Sequence, residues 1–184
     1  AGSVSGTQNI CSSQTTTFTT TGTGGTWTSG TTSVATVNST SGLVAGLSAG
    51  TSTITYTVIG TGGCANATAT RDVTVTAAPT AGTLSGTQSI CTSGATSTTT
   101  FTSSVAGGAW TSGNASIATI DATSGVITPV AAGTATMTYT VLGTGGCNNA
   151  TATRTVTVTA APSAGTLSGT QNVCTGLTTT FTST

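Results

Sequence analysis

The chain has 184 residues, and only Arg71, Arg154, Asp72 and Asp121 carry a charge at neutral pH. General acid–base catalysis relies on His, Glu, Lys or a pair of Asp residues, whereas this chain has two Asp residues far apart in the sequence. Nucleic acids are bound by clustered Lys and Arg, which two isolated arginines cannot supply. The composition therefore argues against an enzyme and a nucleic-acid-binding protein, and we expect no cofactor.

Thr and Ser dominate the composition and point to β-structure. Together they account for about two residues in five, and Gly contributes a further 26 residues. Thr is β-branched and favours strands, while Ser and Gly favour turns. Disordered chains usually combine low hydrophobicity with high charge or many prolines, and this chain has little charge and only 3 Pro. We therefore predict an all-β protein with many short strands.

The location of the protein is indicated by its cysteines and by its lack of long apolar segments. No apolar run approaches the roughly 18 residues of a membrane-spanning helix, and no basic and then apolar leader opens the chain, so we expect no membrane insertion. Because the chain does not begin with Met, we expect a processed product or a segment of a longer protein. Five Cys without any His favour disulfides over a metal site. Disulfides persist in oxidising compartments, which predicts an extracellular or cell-surface protein.

The sequence repeats itself. The segment AGSVSGTQNIC at Ala1 returns as AGTLSGTQSIC at Ala81 and as AGTLSGTQNVC at Ala164. Because the third copy stops in the middle of a unit, we expect that the chain is a segment of a longer array of repeats, or that neighbouring copies complete its ends. The predicted units are a first repeat at residues 1–80, a second repeat at 81–163, and the first strands of a third, incomplete repeat at 164–184.

Within the first repeat, short segments alternate apolar residues with Thr and are separated by Gly-rich turns. In chain order they are TTTFTT at 15–20, VATV at 34–37, STITYTV at 52–58 and RDVTVTA at 71–77. Alternation with period two is typical of half-buried strands. About seven such strands per repeat predict an immunoglobulin-like sandwich of two antiparallel sheets. The predicted core residues are Phe18, Trp27, Val34, Val37, Leu43, Val44, Ile54, Tyr56, Val58, Val73 and Val75, with Phe101, Trp110, Ile117, Ile120, Val126, Ile127, Met137, Tyr139, Val141, Val156 and Val158 in the second repeat.

Two long segments carry a family resemblance. SVATVNSTSGLVAGLSAGTSTITYTV at 33–58 and SIATIDATSGVITPVAAGTATMTYTV at 116–141 resemble the second group of bacterial immunoglobulin-like domains, Big2. Trp27 and Trp110, each followed by Thr-Ser-Gly, fit the same pattern. The leading SGTQNIC and the later GGC also resemble Cys-containing repeats of long Bacteroidota surface proteins. The resemblance implies a role in adhesin stalks or cell-surface fibres, with neighbouring repeats or protomers as partners, and it implies no catalytic residues.

The cysteines allow two alternative sets of disulfide pairings, which we call the two wirings. The first bonds Cys11 to Cys64 and Cys91 to Cys147 within each repeat, although in an ordinary sandwich these positions lie at opposite ends, farther apart than the about 7 Å that bonded Cα atoms allow. The second bonds Cys64 to Cys91 and Cys147 to Cys174, at the same sequence separation both times. A hairpin centred on residues 77–79 would place Cys64 opposite Cys91, so that each leading strand, such as 1–11, completes the preceding sandwich. Both wirings stay open at this point.

Smaller motifs give further candidates. Asn38, Asn66, Asn114 and Asn149 each begin an Asn-x-Ser/Thr triplet and are candidate glycosylation sites. Calcium needs several converging oxygens, and a single Asp per repeat does not provide them, so we expect no metal site. Asp72 is next to Arg71, with which it is expected to form an exposed ion pair.

The composition and repeats favour a structural subunit of an extracellular filament or adhesin stalk, joined by strand pairing and disulfides. An alternative is a glycan- or protein-binding adhesin module that uses the Gly-rich loops at 22–25 or 59–64. A third hypothesis is an ice-binding protein, because runs such as Thr53, Thr55 and Thr57 place hydroxyl groups in a row on one strand face.

Overall fold

A computed structural model describes residues 2–92 and 97–183; Ala1, residues 93–96 and Thr184 lie outside the described residues. Every regular element in the described part of the chain is a β-strand. The strands of the first repeat are β1 (Val4–Ser5), β2 (Asn9–Cys11), β3 (Thr15–Thr17), β4 (Thr19–Thr20), β5 (Thr26–Ser29), β6 (Ala35–Val37), β7 (Leu43–Gly46), β8 (Gly50–Val58) and β9 (Ala67–Thr76). Those of the second are β10 (Leu84–Ser85), β11 (Ser89–Cys91), β12 (Thr99–Thr100), β13 (Thr102–Ser103), β14 (Ala109–Ser112), β15 (Ala118–Ile120), β16 (Val126–Pro129), β17 (Gly133–Val141) and β18 (Ala150–Thr159). β19 (Leu167–Ser168) and β20 (Thr182–Ser183) follow.

The first repeat is a sandwich of two layers. One layer is a four-stranded sheet in the order β2-β9-β8-β5, built on the long antiparallel pair β8 and β9. The other contains the sheet β3-β7-β6 and the short pair β1-β4, with only Phe18 between β3 and β4. The leading strand β2 pairs in parallel with β9 of its own repeat. These layers form an immunoglobulin-like sandwich, which confirms the predicted all-β fold.

The second repeat has the same arrangement. Its sheets are β11-β18-β17-β14 and β12-β16-β15, with β10 paired to β13. Its leading strand β11 again runs parallel to the last long strand, β18. The expected donation of a leading strand to the preceding sandwich is therefore wrong: among the described residues, every strand pair lies within one repeat. The parallel ladder with β9 or β18 already uses the hydrogen bonds that donation would need.

Each sandwich has its own core. Trp27 packs against Tyr56, with ring centroids 4.8 Å apart, and Trp110 packs against Tyr139 at the same distance. Both Trp side chains are about as buried as the aliphatic core, as predicted. The buried cluster of the first repeat is Ile10, Phe18, Trp27, Ala35, Val44, Ile54, Tyr56, Val73 and Val75; that of the second is Ala81, Phe101, Trp110, Ala118, Ile127, Ala135, Met137, Tyr139, Val156 and Val158.

One predicted core residue is exposed. Leu43 retains 44% of its accessible surface, whereas its neighbour Val44 is fully buried. Consecutive residues of a strand face opposite sides of the sheet, so the two side chains cannot both enter the core. Ile10 also faces the core from β2, although its sequence pattern did not predict it.

The segment after the second repeat forms a single short pair, β19 with β20. Its apolar side chains are exposed, with Leu167 at 75% and Phe181 at 54%. Phe18 and Phe101, which follow the same Thr-Thr-Thr sequence, are exposed by only 1% and 0%. The segment therefore presents the leading hairpin of a sandwich without the strands that bury its inner face.

Candidate functional site

The most distinctive site is the contact between the two repeats, and one half of it is a loop that we call the head loop. The head loop is residues 59–64 in the first repeat and 142–147 in the second, and it forms most of the connection between the two longest strands of each sandwich. In the second repeat Gly145 and Gly146 have φ of 59° and 88°, and in the first Gly62 and Gly63 have φ of 62° and 85°. Positive φ is accessible to Gly at little cost, so Gly-Gly permits this tight turn.

The hydrogen bonds that hold the head loop in place are the same in both repeats. The Gly60 amide donates to Asn66 Oδ1 at 3.0 Å, and the Gly143 amide donates to Asn149 Oδ1 at 2.9 Å. The amides of Cys64 and Cys147 each donate to the carbonyl three residues before, at 3.2 Å and 3.0 Å. The loop therefore holds its Cys in the same local conformation in both repeats.

The other half of the site is the opposite end of the sandwich, which we call the base. In the first repeat Cys11 ends β2, is paired in register with Thr76 at the end of β9, and is 6% exposed. The Ser12 amide donates to the Thr76 carbonyl at 2.8 Å, and Ser12 Oγ accepts from the Ala78 amide at 3.1 Å. These bonds hold the leading strand, the last strand and the connecting segment together.

The head loop of the second repeat is bonded to the base of the first. Cys11 and Cys147 form a disulfide with a Cα–Cα distance of 4.7 Å across a sequence separation of 136 residues. The Cys147 sulfur lies 3.6 Å from the Thr76 carbonyl oxygen and 3.5 Å from that of Ala77. The two repeats are therefore covalently joined at both the connecting segment and the loop.

Glycine is required in this contact for a second reason. A Cβ atom on Gly145 would overlap Thr76 Oγ1, and one on Gly146 would lie 3.1 Å from the Asn9 carbonyl oxygen. In the first repeat a Cβ on Gly62 or Gly63 would meet no atom within 4 Å. The same Gly-Gly pair is thus in contact with a neighbour in one repeat and open in the other.

The observed disulfide belongs to neither wiring that the sequence suggested. Both wirings gave Cys147 a partner later in the chain or in its own repeat, Cys174 or Cys91, and the structure gives it Cys11 instead. The hairpin that was to align Cys64 with Cys91 does not form, because Cys91 ends β11 and β11 pairs with β18. The internal pair of Cys11 and Cys64 is also separated, since the ten residues of β9 lie between their positions and span about 33 Å.

A sequence signal for the correct pair was present. The leading Cys and the GGC loop were predicted to lie at opposite ends of one sandwich. In a tandem array the base of one repeat meets the head of the next, so Cys of adjacent repeats are brought together. Among the remaining cysteines, Cys64 and Cys174 are exposed, and Cys91 is half-buried at the base of the second repeat.

The two arginines make equivalent hydrogen bonds, each within its own repeat. Arg71 on β9 donates through Nε to the Gly6 carbonyl at 3.1 Å and through Nη1 to the Val4 carbonyl at 3.4 Å. Arg154 on β18 donates to the carbonyls of Leu84 and Gly86, at 3.1 Å and 2.8 Å. Each arginine therefore holds the leading segment of its own repeat.

Both Asp carboxylates have polar partners other than an arginine side chain. Asp72 Oδ1 accepts from Thr53 Oγ1 at 2.7 Å, while the adjacent Arg71 reaches the leading segment, so the expected pair of Arg71 and Asp72 is replaced by these contacts. Asp121 caps a turn by accepting from the amides of Thr123 and Ser124, and these bonds lower its pKa. In residues 2–92 and 97–183 no three Cys, Asp, Glu or His side chains are grouped as metal ligands.

The candidate glycosylation residues are all at the surface. Asn38, Asn66, Asn114 and Asn149 are exposed, and the Oδ1 atom of each accepts a backbone amide. The glycosylation of these residues stays a prediction.

Threonines cover the outer face of the four-stranded sheet. Thr28, Thr55 and Thr70 are paired in register across β5, β8 and β9, and Thr26, Thr57 and Thr68 form the next row. The outer face is therefore uncharged and rich in hydroxyl groups, apart from Asp72. The ice-binding hypothesis stays a prediction.

A small cleft lies at the other candidate recognition loop. In the second repeat, residues 105–108 correspond to the Gly-rich loop 22–25 and border a cleft of about 380 Å³. Its floor includes Phe101, Trp110 and Tyr139, whose hydroxyl group donates to the Val105 carbonyl at 2.9 Å. The cleft is the size of a small-ligand site but its aromatic rings are almost fully buried.

Within the described ranges, no helix has the length and apolar character needed to cross a membrane. No protein-family model matches the chain. No curated protein matches it either.

Several solved structures have a similar arrangement of strands. A C-terminal fragment of intimin, solved with the intimin-binding domain of the translocated intimin receptor, shares 18% identity at a TM-score of 0.45 over 84% of this chain and 63% of that chain. Domains 1–6 of the surface layer protein SbsC share 22% identity at a TM-score of 0.31, over 87% of this chain and 25% of that chain. A SusE-like, surface-located polysaccharide-binding protein from the heparin utilisation locus of Bacteroides thetaiotaomicron shares 13% identity at a TM-score of 0.35, over 83% of this chain and 32% of that chain. The chain thus spans less than two thirds of each of these proteins, and similarity at this level carries no argument about function.

Proposed function

We propose that this chain is a structural segment of an extracellular bacterial filament or adhesin stalk. In this role, immunoglobulin-like repeats at 1–80 and 81–163, and the start of a third at 164–184, are fastened end to end by disulfides. The resemblance to Big2 repeats of Bacteroidota-type surface proteins supports the same role. No catalytic residue and no cofactor belong to it.

The bond between Cys11 and Cys147 is the observation that carries the proposal. A disulfide inside a sandwich would stabilise one domain, whereas this one fixes the position of one domain on the next. It also supports an extracellular or cell-surface location, because disulfides persist in oxidising compartments. A chain with a disulfide at the junction between two domains is suited to bear tension along its length or to act as a spacer.

The composition of the head loop supports a scaffold over a receptor. Recognition loops are usually rich in Tyr, Trp, Arg or Asn, and the head loop is mostly Gly and Thr. In the second repeat this loop faces the preceding repeat, so it is occupied by a neighbour of its own kind. The structural role therefore accounts for a loop that was a candidate for ligand binding.

Electron microscopy of the native material tests the proposal. We expect extended rods or fibres with an axial repeat set by one domain, which is somewhat longer than the about 33 Å of its ten-residue strands. Addition of a thiol reductant should make the rods bend without dissolving the individual domains. Dispersed globular particles that neither extend nor associate would overturn the structural role.

A glycan- or protein-binding adhesin module is the second candidate. The cleft beside residues 105–108, lined by Thr123 and Tyr139, is the observation that favours it. Glycan-array binding by the full chain, lost when Ala106 is replaced by Trp at the rim of the cleft, would support this function. Ala106 is exposed and already carries a side chain, so the substitution adds bulk at the cleft without the backbone strain of a glycine replacement.

A further inference from the structure

The head loop of the first repeat matches the bonded head loop of the second in every local feature described above. Its Gly-Gly pair has nearly the same φ values, and its Asn66 Oδ1 accepts the Gly60 amide as Asn149 Oδ1 accepts that of Gly143. Cys64 is exposed at the position that Cys147 occupies in the bonded loop. The conformation of this loop is therefore set by its own sequence and does not depend on the disulfide.

The base is also reproduced from one repeat to the next. Cys91 is paired with Thr159 as Cys11 is with Thr76. The Thr92 amide donates to the Thr159 carbonyl at 2.9 Å, and Thr92 Oγ1 accepts from the Ala161 amide at 2.9 Å. The surface that receives a head loop is thus a property of the repeat and not of one junction.

From these two matches, we propose that residues 62–64 are a docking site for the base of another repeat of this sequence type, closed by a disulfide from Cys64 to that repeat's leading-strand cysteine. This inference rests on the proposed structural role and adds the partner and the bond. The partner is a repeat that stands in the same relation to the first repeat as the first does to the second.

Shape favours this partner over an unrelated protein. Gly62 and Gly63 are open, with no atom within 4 Å of a built Cβ, whereas Gly145 and Gly146 are closed by Thr76 and by the Asn9 backbone. The space above the first pair therefore fits the strand ends that fill it in the second. The loop carries no charge, and the base of a repeat is likewise uncharged, so no electrostatic feature selects a different partner.

The bond forms by thiol–disulfide exchange. The Cys64 thiolate attacks a small disulfide such as oxidised glutathione, forms a mixed disulfide and releases one glutathione thiol. The leading-strand thiolate of the partner repeat then attacks the Cys64 sulfur and releases the second glutathione. Two protein thiols are oxidised, one disulfide oxidant is reduced to two thiols, and the two thiol protons are transferred to solvent or to the released glutathione.

The test extends the full chain at its amino terminus with a copy of residues 81–163, which continues the repeat in register. After oxidation in a glutathione buffer and blocking of free thiols, non-reduced peptide mapping should link Cys64 to the cysteine that corresponds to Cys91 in the added copy. Labelling of Cys64 by a maleimide should be lost in the extended chain and retained in the chain of 184 residues.

Two variants sharpen the result. Cys64→Ser in the extended chain should restore labelling of the added cysteine, and the Cys11–Cys147 bond should be unaffected. Gly62→Ala should reduce the yield of the Cys64 bond in the extended chain while leaving the bond pattern of the original chain unchanged. If the extended chain does not fold, the same peptide mapping on native material isolated with its thiols blocked gives the answer.

The inference is overturned if Cys64 stays reactive while Cys11 and Cys147 are bonded in the same molecules. It is also overturned if Cys64 instead bonds to Cys64 of a second copy, because that bond would not involve the base of a repeat. Native fibres with a reactive Cys64 would overturn this inference and leave the structural role intact, whereas globular native particles would overturn that role whatever the state of Cys64.

Discussion

The guanidinium carbon of Arg71 lies 5.9 Å from the centre of the Phe18 ring, and in the second repeat Arg154 lies 5.4 Å from the Phe101 ring. The two arginines of the chain thus occupy the same place in two sandwiches, between the leading segment and the largest core side chain. Apart from these arginines only Asp72 and Asp121 carry a charge, and the contacts of each cation with backbone carbonyls and a ring indicate a structural role. A neutral side chain cannot supply several donors to backbone carbonyls and also contact a ring face.

Replacement of Arg71 by Met should weaken the first repeat. The variant keeps the apolar stem and loses two hydrogen bonds from a charged donor as well as the ring contact, which together amount to about 1–3 kcal/mol of unfolding free energy. Arg71→Lys should show an intermediate loss, because Lys keeps the charge without the planar fork. Denaturant unfolding, together with hydrogen exchange at Val4 and Ser5, measures the effect. An unchanged exchange rate at these amides would contradict the role of Arg71 in holding the leading segment.

Removal of the inter-repeat bond should affect both repeats together. The disulfide closes a loop of 136 residues. Such a loop stabilises the folded chain by about 5 kcal/mol in the chain-entropy model. Cys11→Ser and Cys147→Ser should each lower the unfolding midpoint and separate the unfolding of the two repeats into distinct transitions. Cys64→Ser is the matched control and should leave the calorimetric trace unchanged, and a similar loss in this control would mean that the wrong bond has been assigned.

A pair of glycine substitutions isolates the contact between the repeats. Gly145→Ala and Gly62→Ala place the same side chain at nearly the same φ, 59° and 62°, so both carry the same backbone strain. Only the first also overlaps Thr76. In a fixed glutathione redox buffer, Gly145→Ala should lower the fraction of molecules with the Cys11–Cys147 bond, and Gly62→Ala should not. Equal fractions in the two variants would show that the close approach at Thr76 has no influence on bonding.

The fold was predictable from the sequence because two independent patterns agree on it. Alternation of Thr with apolar residues sets which side chains enter the core, and Phe18, Trp27 and Ile54 were identified in this way. The repeat of the leading segment then indicated how many sandwiches to expect. Both patterns are local, and local patterns are what strand propensity and burial encode.

The wiring of the cysteines could not be obtained in the same way. The choice of partner for Cys147 depends on which strand lies beside the leading strand, and a three-residue strand such as β2 carries no signal for parallel or antiparallel pairing. Once β2 is placed parallel to β9, Cys11 must lie at the end opposite the head loop. The bond from Cys11 to Cys147 then follows from the tandem arrangement of the repeats. The pairing of β2 with β9, which is not local in sequence, therefore determines which cysteines meet.

A comparison of two adjacent residues tests the position of β7 in the sandwich. Val44→Ala should lower the unfolding free energy by about 2 kcal/mol, because its side chain is fully buried and its removal leaves a cavity. Leu43→Ala removes more carbon atoms but should cost less than about 1 kcal/mol, because Leu43 is 44% exposed. Chemical denaturation of the two variants measures the difference. The reverse order would mean that β7 presents its other face to the core.

The capping turns of the two repeats differ in one charge. Asn38 Oδ1 accepts from the amides of Thr40 and Ser41, at 3.1 Å and 2.8 Å, and Asp121 Oδ1 accepts from the corresponding amides at 3.1 Å and 2.7 Å. The bonds at Asp121, the largest effect coming from the Ser124 amide, lower its pKa below the ordinary 3.8. The stabilising contribution of this carboxylate is therefore complete above pH 3.8 and is lost as the pH falls through the lowered pKa.

Asp121→Asn should consequently make the second turn insensitive to acid, as the first already is. At neutral pH the variant should fold with little change, because an amide oxygen accepts the same two amides in the first repeat. The protection factor of an amide, its intrinsic exchange rate at a given pH divided by its measured rate, should fall with acid at Ser124 and Gly125 in the wild-type chain and stay constant in the variant. The amides of Ser41 and Gly42 serve as the internal reference, and an acid-induced loss of protection at Gly125 that persists in the variant would assign the sensitivity to another group.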